Sequence, residues 1–398
     1  MNYPFSDNVR SLNPSAIREI LKYAADPEVV SLSAGNPAPE AFPVEAIQTI
    51  TARLLAERPI DALQYSTTEG YGPLRARLRE YMSDKHHVGS DDDEILITAG
   101  AQQVMGLAAK ALVNRGDTVI CECPSFVGAL NSFRALGAQL VGVPVLPDGM
   151  DMDALEQTLK SHPHARFIYT IPNFQNPSGV TMSWEKRVHL YELAKRYGVL
   201  ILEDNPYGEL RFEGENVPAV KTLDKDGLVL YAGSFSKVLS PGLRVGYAIG
   251  PKPVLQKMVV CKQGEDVHTT ILSQMICDEF MKTCDFEAHL KGLRDLYRHK
   301  AQLMLSLMDR YLVPCGVTYN PVQGGLFVWG TLPDGADMPK FCTLAVAEHK
   351  VAVVPGNAFL PDENEPCQSF RLNYSTPTDE DMEKGMKRLG AFAADFLK

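Results

Sequence analysis

Leu228-Val229-Leu230-Tyr231-Ala232-Gly233-Ser234-Phe235-Ser236-Lys237-Val238-Leu239-Ser240-Pro241-Gly242-Leu243-Arg244 joins an apolar run to a lysine set between serines, with an arginine beyond. The apolar part, Val229–Ala232, has the length and composition of a strand buried on both faces. A lysine amine can form a Schiff base with a carbonyl. Hydroxyls and a guanidinium beside it can hold a phosphate dianion. A covalently held, phosphate-bearing aldehyde needs both, and pyridoxal 5'-phosphate (PLP) is that cofactor. The same Ser-Phe-Ser-Lys run also suits an ordinary solvated loop, so the reading depends on partners elsewhere in the chain.

Outward from this stretch, Glu94 to Gly250 alternates strand and helix patterns. Strands are expected at Ile95–Ala99, Thr118–Cys121, Gln139–Val143, Phe167–Ile171, Val199–Glu203, Val229–Ala232 and Val245–Ile249, with helices between several of them, notably Trp184–Tyr197. This is the pattern of an α/β fold with a mostly parallel, doubly wound sheet, here of seven strands. Ligands of such sheets sit at the carboxyl ends of the strands. A long helical stretch, roughly Phe286–Tyr311, then leads to strands and helices at Gly325–Gly330, Met338–His349, Val351–Val354, Phe370–Tyr374 and Glu380–Phe396. No internal repeat or low-complexity linker interrupts the chain.

The strand ends supply the partners. Asp204 closes the apolar run Val199-Leu200-Ile201-Leu202 and can keep a pyridine nitrogen protonated. Read alone, it is a loop aspartate before the Asn205-Pro206 turn. Tyr207, three residues on, and Asn176 in Asn176-Pro177-Ser178-Gly179 can both reach the cofactor's phenolic oxygen, although Asn-Pro-Ser-Gly is also a common turn. Gly100-Ala101-Gln102 lies between the strand Glu94–Gly100 and the helix Ala101–Leu112. Free amides and the helix dipole attract an anion there. Many α/β domains carry such a junction without a ligand.

Together these residues resemble the class I/II aminotransferases of PLP fold type I, in family order along nearly the whole chain. Ser31-Leu32-Ser33-Ala34-Gly35-Asn36-Pro37 looks like the substrate loop, and Gln64-Tyr65-Ser66-Thr67-Thr68-Glu69-Gly70 like the segment whose tyrosine reaches the partner subunit's phosphate. Asn176-Pro177-Ser178-Gly179, Asp204-Asn205-Pro206-Tyr207 and Ser234-Phe235-Ser236-Lys237 are the central motifs, and Phe370-Arg371-Leu372-Asn373-Tyr374-Ser375 carries the C-terminal arginine. Ser15-Ala16-Ile17-Arg18-Glu19-Ile20-Leu21 and Leu239-Ser240-Pro241-Gly242-Leu243-Arg244 are most similar to the branch holding 2-aminoadipate and kynurenine aminotransferases.

The resemblance implies a set of roles. Lys237 holds the cofactor and moves the substrate's α-proton, Asp204 meets the ring nitrogen, and Tyr207 and Asn176 meet the phenolic oxygen. Ser234, Ser236, Arg244, Gly100, Ala101 and Gln102 hold the phosphate, with Tyr65 of a neighbouring subunit, which makes the enzyme a homodimer with shared active sites. Arg371 binds the substrate α-carboxylate at two points, assisted by Asn176 and Gly35. Phe126 stands where many relatives carry a ring-stacking tyrosine; it can stack but lacks the hydroxyl. Arg18, on an expected amphipathic helix Ala16–Tyr23, can meet a distal carboxylate such as that of glutamate or 2-aminoadipate, or simply be solvated. The division implied is an N-terminal segment, 1–40, going with a small domain, a large domain over 41–285 and the small domain over 286–398.

The bulk properties set outer bounds. The 398 residues suffice for two domains, and 45% hydrophobic with 22% charged residues is ordinary for a globular protein. Net charge is −10, which disfavours a nucleic-acid surface. No apolar run is long enough to span a bilayer, and Met1-Asn2-Tyr3-Pro4 does not open a signal peptide, so a cytoplasmic, membrane-free protein is expected. The eight cysteines form no Cys-x-x-Cys pair and read as reduced, mostly buried thiols, with no metal site. His86-His87 reads as an exposed helix end. The expected function is amino-group transfer between an L-amino acid and a 2-oxo acid. Its rivals are a carbon–sulfur β-lyase on the same cofactor and a non-catalytic amino-acid or PLP sensor.

Overall fold

The apolar runs become strands whose two faces feed two different cores. A computed structural model of the chain describes residues 3–6 and 26–398. Its first nine strands are β1 (Val30–Ser31), β2 (Asp93–Thr98), β3 (Thr118–Cys123), β4 (Gln139–Leu146), β5 (Gly149–Met150), β6 (Phe167–Thr170), β7 (Leu200–Asp204), β8 (Val229–Ser234) and β9 (Gly246–Pro251). Side chains alternate across a strand. Cys121, Phe167, Tyr169, Leu202 and Leu230 therefore enter the main core, while Ile120, Ile168, Ile201 and Val229 enter a second core on the opposite face. Burial on both faces is what a sheet covered by crossover helices requires.

The large sheet runs β2-β9-β8-β7-β6-β3-β4-β5. From β4 to β8 the neighbours are parallel. β9 is antiparallel to both β8 and β2. Only residues 235–245 join β8 to β9, with no crossover helix between them, so the chain returns in the opposite sense. That return loop carries Lys237. The register then sets Ser234, Gly246 and Thr98 side by side at one end of the sheet.

One expectation needs correction. The sheet has eight strands, not seven, because β4 continues through Pro144 to Leu146 and turns back through Pro147-Asp148 into β5. Pro144 marks an apparent strand end in the sequence. It is tolerated because β4 is near the sheet edge, where a proline costs no interior ladder bond. Gly149, at φ +117, completes the turn.

The helix Phe286–Tyr311 packs along the final helix Asp379–Phe396. Beyond it lies a four-stranded antiparallel sheet, β10 (Thr318–Tyr319), β11 (Phe327–Thr331), β13 (Val354–Pro355) and β14 (Ser369–Asn373), ordered β10-β11-β14-β13. The stretch expected as one strand over Val351–Val354 is two. β12 (Val351–Ala352) pairs in parallel with β1, and β13 pairs with β14. The expected helix Ala16–Tyr23 lies outside the described residues. No helix among the described residues is long and apolar enough to cross a membrane. All eight cysteines are free, three buried and five half-buried.

Candidate active site

Lys237 projects from the β8–β9 return, and its Nζ donates to the Gly35 carbonyl at 2.7 Å. Burial, with Arg371 and Arg244 adding repulsion, brings its pKa down to about 8. A lysine so placed is far closer to the neutral, nucleophilic amine at physiological pH than an exposed one.

Asp204 ends β7 and is buried. Its Oδ2 accepts from the Tyr169 hydroxyl at 2.8 Å, while Oδ1 is buried with no partner among the described residues. Burial pushes the carboxyl up to about 7, against the hydrogen bond from Tyr169. An unpaired buried acceptor of this kind is costly unless a donor arrives. Three residues on, the buried Tyr207 accepts from Asn176 Nδ2 at 3.3 Å and meets the Phe327 ring edge-on at 5.9 Å.

Arg371, on β14, completes this group. Its Nη1 donates to Asn176 Oδ1 at 2.9 Å and its Nη2 to the Ser33 carbonyl at 2.9 Å. Its guanidinium lies 4.2 Å from the Phe327 ring centre and 4.9 Å from that of Phe359. Burial lowers its pKa to about 10, while Nε is buried without a partner among the described residues. A buried guanidinium held only by neutral acceptors favours an incoming anion.

At the neighbouring strand ends, Gly100 adopts φ +78 and opens the helix Ala101–Leu112. Arg244 Nη2 donates to the Ala99 carbonyl at 2.9 Å and Nη1 to the Pro241 carbonyl at 3.1 Å. A Cβ on Gly246 would fall 2.5 Å from the Gly100 carbonyl carbon, so only glycine there lets β9 approach the helix N-terminus. Ser234 Oγ accepts from the Ser236 amide at 3.0 Å. The Gln102 side chain turns away, donating to the Gly128 carbonyl and to Ser132 Oγ, which leaves its backbone amide facing the helix start. Phe126 lies against this same turn, since a Cβ on Gly128 would meet both Gln102 and Phe126 at 2.5 Å.

Lys237, Gly35, Asn176, Tyr207 and Arg371 thus meet around Phe327, with Asp204 beside them and the Gly100–Arg244 cradle at the adjacent strand ends. Tyr65 does not join them within this chain. It is 81% exposed, and among the described residues its ring meets the edge of His268, at 5.8 Å. Arg18 lies outside the described residues. Tyr169, Phe327 and Phe359 are additions that the sequence reading did not single out. The available signal was the hydroxyl-bearing Tyr169 inside an otherwise apolar strand, since a buried tyrosine needs a partner.

The residues fit PLP on their own chemistry. Asp204 Oδ1 is an orphan acceptor for a protonated ring nitrogen, Lys237 is an amine of lowered basicity, and the Gly100–Arg244 contact leaves a cation beside a helix N-terminus. A cavity of about 210 Å³ adjoins the loop following Asp204, lined among others by Tyr81, His86, Asn205, Glu209, Ser234 and Tyr247. His86 there is half-buried and 2.7 Å from Glu209, which corrects its reading as a solvated helix end. Among the described residues no group of three or more His, Cys, Asp or Glu could hold a metal ion.

The chain matches known proteins over nearly its whole length. The family model for aminotransferase class I and II matches residues 27–389. The chain is 41% identical over 392 residues to a 2-aminoadipate transaminase of Thermus thermophilus, covering 97% of this chain and 95% of that one. It is 37% identical over 398 residues to aromatic-amino-acid aminotransferase 1 of Thermococcus litoralis, covering 99% and 95%. Among solved structures, the alpha-aminoadipate aminotransferase of Thermus thermophilus, complexed with N-(5'-phosphopyridoxyl)-L-leucine, superposes with a TM-score of 0.89 at 39% identity, covering 99% of this chain and 97% of that one.

Proposed function

The chain belongs to the class I and II aminotransferases, PLP-dependent enzymes of fold type I, and from that premise we propose a division of labour among its residues and a substrate class. When bound, PLP supplies the carbonyl that condenses with amines and the ring that takes up electrons from the substrate's α-carbon. Asp204 Oδ1 would accept from the ring nitrogen, and Asn176 with Tyr207 would meet the phenolic oxygen. Ser234, Ser236, Arg244 and the amides from Gly100 to Gln102 would hold the phosphate. Arg371 takes the substrate α-carboxylate in a bidentate grip. Lys237 Nζ, with its pKa brought down to about 8, would accept the substrate's α-proton and hold it for return across the substrate nitrogen, two bonds away.

The observation that carries this reading is Asp204 Oδ1, buried and without a partner among the described residues, beside the group around Phe327. The proposed amino donor is L-glutamate, 2-aminoadipate or an aromatic or aliphatic amino acid, with 2-oxo acids as acceptors; the names of the relatives support 2-aminoadipate and aromatic amino acids. The protein is proposed to work as a homodimer. Support comes from the exposed Ile60, Leu63 and Tyr65, which are 72%, 72% and 81% exposed on one short stretch. The proposed cytoplasmic location rests on the eight free cysteines. The division at 41–285 and 286–398, with 1–40 joining the latter, is likewise proposed, supported by the pairing of β1 with β12.

The test is the visible absorbance of the purified protein with L-glutamate alone. A yellow protein that bleaches, and regains colour with a 2-oxo acid, has completed both half-reactions. Release of pyruvate and ammonia from a cysteine conjugate without an acceptor would turn the reading to a β-lyase.

A further inference from the structure

We propose that Tyr169 is a positioning residue for the cofactor: its phenol occupies Asp204 Oδ2, so that Oδ1 alone faces the ring nitrogen and the carboxylate stays ionised. The inference deepens the reading of Asp204 given above and rests on it. The geometry begins with sheet register. Tyr169 on β6 is paired with Leu202 on β7, and Asp204 lies two residues beyond Leu202 on the same face. Two residues of strand span roughly 6.6 Å, a gap that a phenol can bridge where serine or threonine cannot. The observed bond, Tyr169 Oη to Asp204 Oδ2 at 2.8 Å, is that diagonal reach.

The tyrosine is itself held. It is fully buried, and Phe133 packs edge-on against its ring at 5.4 Å while also packing on Phe167 at 5.2 Å. The phenol therefore has little freedom to leave its acceptor. Its pKa is raised well above the ordinary value, first by burial and then by the Asp204 charge, so it remains a donor across the working pH range. Among the described residues, the titratable groups that respond to the Asp204 charge are Tyr169 on β6, Glu122 on β3 and Tyr207 on its own loop. Tyr169 is the one whose hydrogen bond favours the ionised carboxylate. Burial opposes ionisation, so loss of this donor leaves burial unopposed and Oδ2 without a partner.

The experiment titrates cofactor-free protein with pyridoxal 5'-phosphate and follows the visible band from pH 5.5 to 9. Binding through an ionised Asp204 weakens as pH falls through that group's pKa. In Tyr169→Phe the acid limb should move upward, and affinity at pH 7.5 should fall about tenfold or more, as expected for a lost hydrogen bond to a charged group. In a cycle with Asp204→Asn, the Tyr169→Phe effect should largely vanish. If Tyr169→Phe does not fold, 3-fluorotyrosine at position 169, isosteric and a stronger donor, should move the acid limb downward. Acid limbs unmoved in either variant, or fully additive losses in the cycle, overturn the role of Tyr169. A wild-type protein that forms no band overturns instead the cofactor reading on which it rests.

Discussion

Gly100 and Arg244 are packed so closely that a Cβ built on Gly100 would lie 2.4 Å from Arg244 Nη2. The guanidinium is thus seated against bare backbone at a helix N-terminus, with its Nη2 on the Ala99 carbonyl. Two groups that attract anions converge there, and the contact tolerates no side chain.

Gly100→Ala should therefore weaken cofactor binding as well as the fold. The φ of +78 at Gly100 costs a non-glycine residue about 1–3 kcal/mol, and the new methyl must also displace Arg244. Titration of the cofactor-free variant with PLP should show an affinity lower by about 10- to 100-fold. An affinity equal to wild type would show that the Gly100–Arg244 contact is not part of the cradle.

How much of this was legible in the sequence differs by element. The helices Trp184–Tyr197 and Phe286–Tyr311 were readable to their ends because each is marked by local chemistry. Ser183 and Asp285 cap the first turns through their side chains, and Gly198 ends the first of these helices in the left-handed region. The antiparallel sense of β9 was not readable, because direction depends on how the 235–245 loop returns and leaves no local composition signal. Of the site, the polar residues at strand ends stood out against apolar runs, and the structure brings Lys237, Asn176, Tyr207 and Arg371 together. Tyr169 and Phe327 did not stand out, because an aromatic residue inside a strand normally signals packing. Their places in the site come from a diagonal across two strands and from the small sheet folding over the large one. Tyr65 is exposed in a single chain, a feature that no strand pattern reports.

Arg371→Lys should separate cofactor binding from substrate binding. The lysine keeps a charge but loses the fork that reaches Asn176, Ser33 and a carboxylate together. We expect the visible band to persist while kcat/KM for L-amino acids drops about 100-fold or more, in line with truncating a buried hydrogen-bonded charge pair. Steady-state assays with an amino acid and its decarboxylated amine check this, because the variant should narrow the preference for the amino acid. A variant with unchanged preference would remove Arg371 from the α-carboxylate role.

The cofactor-free protein should carry a pH signature from Asp204. Its folded pKa, about 7, lies above the ordinary 3.8, and burial is the cause. The folded state then binds the proton more tightly than the unfolded state, so this stabilising contribution is full below about pH 4 and is lost as pH rises through 7. Asp204→Asn removes the titration. Melting temperatures measured from pH 5 to 8 should fall less steeply for the variant than for the wild type, and parallel curves would show that Asp204 titrates in its ordinary range.

Tyr65 offers the sharpest test of shared sites. Tyr65 is 81% exposed in one chain, and among the described residues its ring meets the edge of His268, which leaves the side chain free to serve the site of another subunit. If each site combines Lys237 of one chain with Tyr65 of its partner, two defective chains can rescue one another. Tyr65→Ala and Lys237→Ala homodimers should both be impaired, the second without detectable transamination. In a mixed dimer, one site carries both defects, while the other joins an intact Lys237 to an intact Tyr65. Co-expressed, differently tagged chains purified as the heterodimer should therefore recover about half of the wild-type activity per dimer. A site complete within one chain would instead leave the mixed dimer at the mean of the two parents. The recovered activity decides between these arrangements without requiring a structure of the assembly.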